Sequence, residues 1–202
     1  MKYAMFLPGG SPEALIDWAQ KIEAAGFDSL WQGELVNSAL LPLAAVAPAV
    51  KKIKLGAGVV LAFTHSPVIL AFAALDLDFL SQGRFILGLG AAHQNRNNNW
   101  YAGHDAGKPV PQMREYLRIL RLIMEKSATG GEVDFPGEFY RIHARNFFAR
   151  SSRTTETSSV SRVAVRSSET GFSSSEPTKG LGRKGGSELR ERAGSSGRDR
   201  MR

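Results

Sequence analysis

Glu34 closes a short apolar run, Phe27 to Trp31 followed by Gln32 and Gly33, and it is the one carboxylate at the C-terminal end of an expected barrel strand. Catalytic and binding groups of parallel α/β proteins gather at such ends. A carboxylate there can take or give a proton, or it can simply accept bonds from loop backbone or an arginine. Phe63, Thr64 and His65 stand at the end of a second run, KLGAGVVLAFTHSP, where Thr64 could hydrogen-bond a ligand and His65 touch it; His65 could equally be an exposed loop residue. A third run, GRFILGLGAAHQNR, ends in Gly88, Gly90, Ala91, Ala92, His93 and Gln94, where backbone amides could approach a ligand because no side chain intervenes. His93 is a second candidate for moving protons. Read as G-x-G-x-x-G the run fails, because His93 replaces the third glycine and the run does not follow a first strand. His93, His104 and Asp105 lack the helical spacing of a metal site, and no metal is expected.

The elements that position these residues alternate. Tyr3–Leu7 reads as a strand stopped by Pro8-Gly9-Gly10, and Ser11-Pro12 opens a helix with Leu15, Trp18, Ala19 and Ile22 on one face. Further strands are expected over Phe27–Trp31, Ile53–Ala62 and Arg84–Gly90, with helices over Leu43–Val50 and from Ser66-Pro67 to Gly83. A fourth helix places Met113, Tyr116, Leu117, Leu120 and Met124 inward as core, and Thr129–Ile142 reads as a hairpin turning at Pro136-Gly137. Strand and helix thus alternate four times at the spacing of βαβ units, which implies a parallel sheet with right-handed crossovers. Such a sheet is a small open one or the first half of a (β/α)8 barrel.

Composition divides the 202 residues near Ala149. Before it, 14 Lys and Arg face 13 Asp and Glu; from Arg150 onward the numbers are 12 and 6, with 13 Ser. The basic character therefore belongs to the tail, and the body gives no reason to expect a nucleic-acid partner. With few large apolar residues, 150–202 is expected to be disordered, since burial there cannot offset chain entropy of about 1–2 kcal/mol per residue. The tail has almost no aromatics on which RNA bases could stack. There is no cysteine, hence no disulfide or thiolate chemistry. No apolar run reaches the length of a membrane span or a signal peptide, so a cytoplasmic location is the expectation.

The wording of the runs resembles the luciferase-like monooxygenase superfamily, in particular its deazaflavin-dependent (F420-type) oxidoreductase branch. The residues that carry the likeness are AAGFDSLWQGE at 24–34, LPLAAVAPAVKKIKLGAGVVLAFTHSP at 41–67, LDFLSQGRFILGLG at 77–90, MREYL at 113–117 and GEFYR at 137–141. The resemblance implies a (β/α)8 TIM-type barrel that holds a deazaflavin coenzyme, or alternatively FMN, at its C-terminal mouth, acts on a small-molecule substrate by hydride transfer, and often forms a homodimer. It implies a bulge and a non-prolyl cis peptide at Gly58-Val59 behind the ring, with Phe63, Thr64, Gly88, Gly90, Ala91 and Gln94 near the cofactor. The family's acidic residue at position 34 is often followed by His, where this chain has Leu35, so histidine-assisted proton transfer by Glu34 is not expected. Only the first four units match. The text beyond Ala149 reads like an out-of-frame translation, and the chain is expected to comprise a half-barrel over 1–149 and a tail over 150–202, whether active or an inactive fragment.

Overall fold

The computed structural model describes residues 1–92, 108–147 and 149, and the backbone of 163–166. All of these belong to one compact unit, Met1–Thr170. The elements are β1 (Ala4–Phe6), α1 (Pro12–Ala24), β2 (Ser29–Gln32), α2 (Leu40–Val46), β3 (Lys54–Leu61), α3 (Pro67–Leu80), β4 (Phe85–Gly90), α4 (Pro109–Thr129), β5 (Gly131–Pro136), β6 (Arg141–Phe147) and β7 (Val163–Arg166). β1, β2, β3, β4 and β7 form one parallel sheet in that order, and β5 and β6 form a separate antiparallel hairpin.

The core lies between the sheet and its helices. Leu30, Leu55, Leu87 and Leu89 point from the strands into a layer with Ala19 and Ile22 of α1, Leu43 and Val46 of α2, Leu70 and Ala74 of α3, and Ile119 and Leu120 of α4. The helix starts follow from chemistry visible in the sequence. Ser11 Oγ accepts the Ala14 amide at 3.3 Å with Pro12 next in the chain, and Pro67 opens α3.

Three local expectations need correction. α2 begins at Leu40 rather than Leu43, because Ser38 Oγ caps the amides of Leu40 and Leu41, and Ala47–Ala49 is a separate 3₁₀ turn. Trp18 is 43% exposed rather than core; its ring lies beneath the Lys21 ammonium, 5.9 Å away, which is itself paired with Asp17. The strand pattern also continues past Ala149. β7 pairs in parallel with β4, Leu87 opposite Val163 and Gly90 opposite Arg166. A strand this short needs only β-branched residues and a neighbour with free ladder groups, and β4 supplies the second.

At the N-terminal ends of the strands a carboxylate replaces a turn. Glu23 of α1 accepts the amides of Lys51, Lys52 and Ile53 at 2.9, 2.6 and 2.9 Å, tying α1 to the entry of β3. Arg84 fills the same corner and donates to the carbonyls of Ile53, Ala47 and Val50. Burial pushes the Glu23 carboxyl pKa up, but the three amides and the Arg84 charge outweigh it and hold the group below its ordinary value. A pKa depressed by folding contributes stability above the unfolded value, and that stability disappears as pH falls through the folded value. Unfolding by urea between pH 3 and pH 7 is therefore expected to show stability falling below about pH 4.5, with a shallower fall in Glu23→Gln. An equal fall in both proteins would contradict the assignment.

Candidate functional site at the C-terminal rim

β3 does not run straight to its end. Its register against β4 shifts between Ala57 and Val60, and the Gly58–Val59 peptide is cis. The bulge takes β3 out of step with β2 after the Gln32–Ala57 pair, leaving amides and carbonyls without regular ladder partners. Glu34 supplies them. Its own amide donates to the Val59 carbonyl at 3.1 Å, and its Oε2 accepts the Leu61 amide at 2.7 Å. The same carboxylate meets His65 Nε2 at 3.0 and 3.1 Å, and only 11% of the Glu34 side chain is exposed.

Glu34 is thus both a backbone clamp and half of a carboxylate–imidazole pair. Leu35 did remove the neighbouring histidine, but the imidazole arrives from the next strand. The Ala62–Thr64 turn sets its place, closed by Thr64 Oγ1 donating to the Leu61 carbonyl at 2.8 Å and by the His65 amide donating to Ala62. Tyr116 holds that turn from below, its hydroxyl donating to the His65 carbonyl at 3.2 Å. Burial, then Tyr140 and the charge of Glu34, push the Tyr116 hydroxyl far above the usual phenol pKa, so it stays a neutral donor.

The structure gives several of the expected residues packing contacts of their own. Phe63 is 6% exposed and packs edge-on to Tyr116 at 6.4 Å. A Cβ on Gly88 would run into the Ala57 carbonyl, and one on Gly90 would come within 2.7 Å of Val59 Cγ2. The room left by these glycines is taken by the bulge, so they shape the floor through β3. Val59 and Ala91 stay half-buried on the rim. His93, Gln94, His104 and Asp105 lie outside the described residues. Among the described residues no cluster of His, Asp and Glu could hold a metal.

Sequence reasoning found the hairpin but not the contact that places its turn at the rim. Glu115 of α4 accepts the amides of Glu138, Phe139 and Tyr140 at 2.9, 3.0 and 3.2 Å, which carries the hairpin turn to the rim. Burial would raise its pKa, but the three amides and Arg118 lower it. Tyr140 stacks edge-on to Tyr116 at 5.7 Å and its hydroxyl accepts from Gln112 Nε2 at 3.1 Å. A cavity of about 410 Å³ lies between the hairpin and residues 63–68; a second of about 520 Å³ opens beyond β1 and β2, among Pro8, Gly10, Gln32, Asn37 and Ser38.

A parallel sheet with helices, a bulged third strand and cavities at its C-terminal ends defines a barrel-type α/β protein with a rim site. The model of the luciferase-like monooxygenase family matches residues 1–171, and the chain belongs to that family. A putative coenzyme F420-dependent oxidoreductase of Mycobacterium tuberculosis is 36% identical over 121 residues, 59% of this chain and 34% of that protein. The coenzyme F420-dependent tetrahydromethanopterin reductase of Methanopyrus kandleri superposes with a TM-score of 0.60 at 22% identity, over 76% of this chain and 47% of that one. The oxygenating constituent of 3,6-diketocamphane monooxygenase from Pseudomonas putida, in complex with FMN, does so with a TM-score of 0.60 at 22% identity, over 82% and 51%. The chain spans about two fifths of the length of the first curated relatives it matches.

The clamp predicts a split between two substitutions. Glu34→Ala leaves the Leu61 amide without its acceptor and is expected to cost about 1–3 kcal/mol of unfolding free energy. Glu34→Gln keeps an acceptor for Leu61 and is expected to cost less than half as much. Equal losses in urea titrations would show that the carboxylate acts through charge rather than as the missing ladder partner.

Proposed function

We propose that this chain forms the cofactor floor of an oxidoreductase or monooxygenase that uses a deazaflavin coenzyme, or alternatively FMN, and acts on a small organic substrate. The observation that carries the reading is the shape of the rim: a bulge at Gly58–Val59, kept flat on the β4 side by Gly88 and Gly90, with a carboxylate–imidazole pair directly beside it. These residues fit a planar conjugated ring. Val59 offers an apolar face, and Glu34 with His65 offers groups that accept and donate at the edge.

Such a ring, once bound, supplies hydride chemistry. The chain's own part is to orient the ring and to hold a proton. The bulge sets the plane, while His65 Nε2 and the Glu34 carboxylate share one proton position at the rim. His93, the other candidate proton carrier, follows the Ala91-Ala92 rim segment in the sequence. The F420 dependence stated for the Mycobacterium tuberculosis relative supports the deazaflavin choice. The same reading includes a cytoplasmic location and a homodimer; among the described residues no helix is long and apolar enough to cross a membrane.

A second reading, a half-barrel that holds no cofactor, has one observation on its side. Met5 and Phe6 of β1 are 39% and 63% exposed, although the corresponding faces of a closed barrel are filled by side chains. Titrating the purified full chain with the deazaflavin coenzyme and with FMN, followed by fluorescence, separates the two. Saturable binding with a micromolar Kd, weakened in Glu34→Ala, is the expected result. A folded chain that binds neither cofactor would favour the second reading.

A further inference from the structure

The 410 Å³ cavity between residues 63–68 and the hairpin has an unbalanced set of polar groups. Most are already used. Thr64 Oγ1 donates to Leu61, and His65 Nε2 is held by Glu34. The nearby carboxylates are used too: Glu34 by the Leu61 amide and His65, Glu115 by three hairpin amides, and Glu138 by Lys108 at 3.2 Å. Two lining groups are left over. The exposed guanidinium of Arg141 has no hydrogen-bond or ion-pair partner among the described residues, and the Ser66 hydroxyl caps nothing. Tyr140 accepts from Gln112 and keeps its own proton to donate. The remaining wall is apolar, from Phe63, Phe139 and Ile142.

We infer that this cavity is a subsite for an organic oxyanion, a carboxylate or phosphate monoester on a small aromatic body. Arg141 takes the oxyanion through its planar fork, which matches two oxygens at once. Ser66 and Tyr140 add hydroxyl donors, and the body of the ligand packs against Phe63 and Phe139. The volume falls within the usual range for small-molecule sites, about 300–1,000 Å³, and admits one ring with its charged group. Because His65 lines the same cavity, the far end of the ligand lies beside the Glu34–His65 pair. The inference deepens the proposed function by naming the class of substrate, and it rests on the rim being the working site.

The test uses the full chain without cofactor and reads ligand binding by saturation-transfer NMR. Benzoate and phenyl phosphate are compared with benzyl alcohol and benzylamine. The expected result is saturable binding of both anions, about tenfold tighter than the neutral and cationic probes. Arg141→Gln should reduce anion affinity about tenfold and leave benzyl alcohol unchanged, while Arg141→Lys should retain part of the preference. Binding of one anion alone selects the carboxylate or the phosphate. Anions binding no better than benzyl alcohol, or an unchanged preference in a folded Arg141→Gln protein, overturns the inference. Anion binding without cofactor binding would leave the subsite standing and remove the oxidoreductase reading; cofactor binding without an anion preference would remove only the subsite.

Discussion

A strand that bulges in the middle of a parallel sheet withdraws its amides from the neighbour that should accept them, and a buried amide without an acceptor costs about 1–3 kcal/mol. β3 bulges between Ala57 and Val60, and Glu34 at the end of β2 repairs the damage with one backbone donor and one carboxylate oxygen. The repair fixes the carboxylate in place. That in turn makes it a seat for His65, whose ring would otherwise sweep through solvent at the start of α3. It also dictates β4, since the Ala57 carbonyl and the Val59 side chain occupy the space that side chains at 88 and 90 would need. The rim site and the integrity of the third strand are the same set of contacts.

The repair is one case of a habit of this chain. Glu23 and Glu115 each collect three consecutive backbone amides, 51–53 and 138–140, and each is held ionised below its ordinary pKa by them. Their positions divide the labour. Glu23 works with Arg84 where β3 begins, at the end of the sheet that serves stability, whereas Glu115 brings the hairpin to the other end, where ligands collect. A helix carboxylate can do this because a run of amides in a turn forms a small concave patch of positive potential.

Much of the architecture was legible because it rests on local chemistry. Glycine-ended apolar runs marked β2, β3 and β4, Ser-Pro pairs marked the starts of α1 and α3, and Pro136-Gly137 marked the hairpin. What failed to show in the sequence depends on register. Nothing in positions 34 and 65, 31 residues apart, signals that their side chains meet; the meeting follows from β2 and β3 pairing in parallel with Ser29 opposite Lys54 and then losing step at the bulge. The same is true of Glu115 and the hairpin amides, and of Arg141, which reads as an ordinary charged residue of an edge strand until the hairpin folds back onto residues 63–68. Helical spacing puts Trp18 on one face of α1 with Ala19 and Ile22, which are buried, yet its ring stays 43% exposed and lies under the Lys21 ammonium.

Placing a tyrosine rather than a phenylalanine at 116 also has a consequence for how the rim responds to pH. Its ring would pack equally well against Phe63 and Tyr140 without the hydroxyl. The hydroxyl adds a bond to the His65 carbonyl, and burial keeps it protonated far beyond the range in which proteins work. The support beneath His65 therefore does not change with pH. Glu115, the other carboxylate within this group of contacts, is held below its ordinary pKa by its amides and faces the hairpin turn. The contact between Glu34 and His65 is thus set in a frame built from the Tyr116 hydroxyl and the Glu115 clamp.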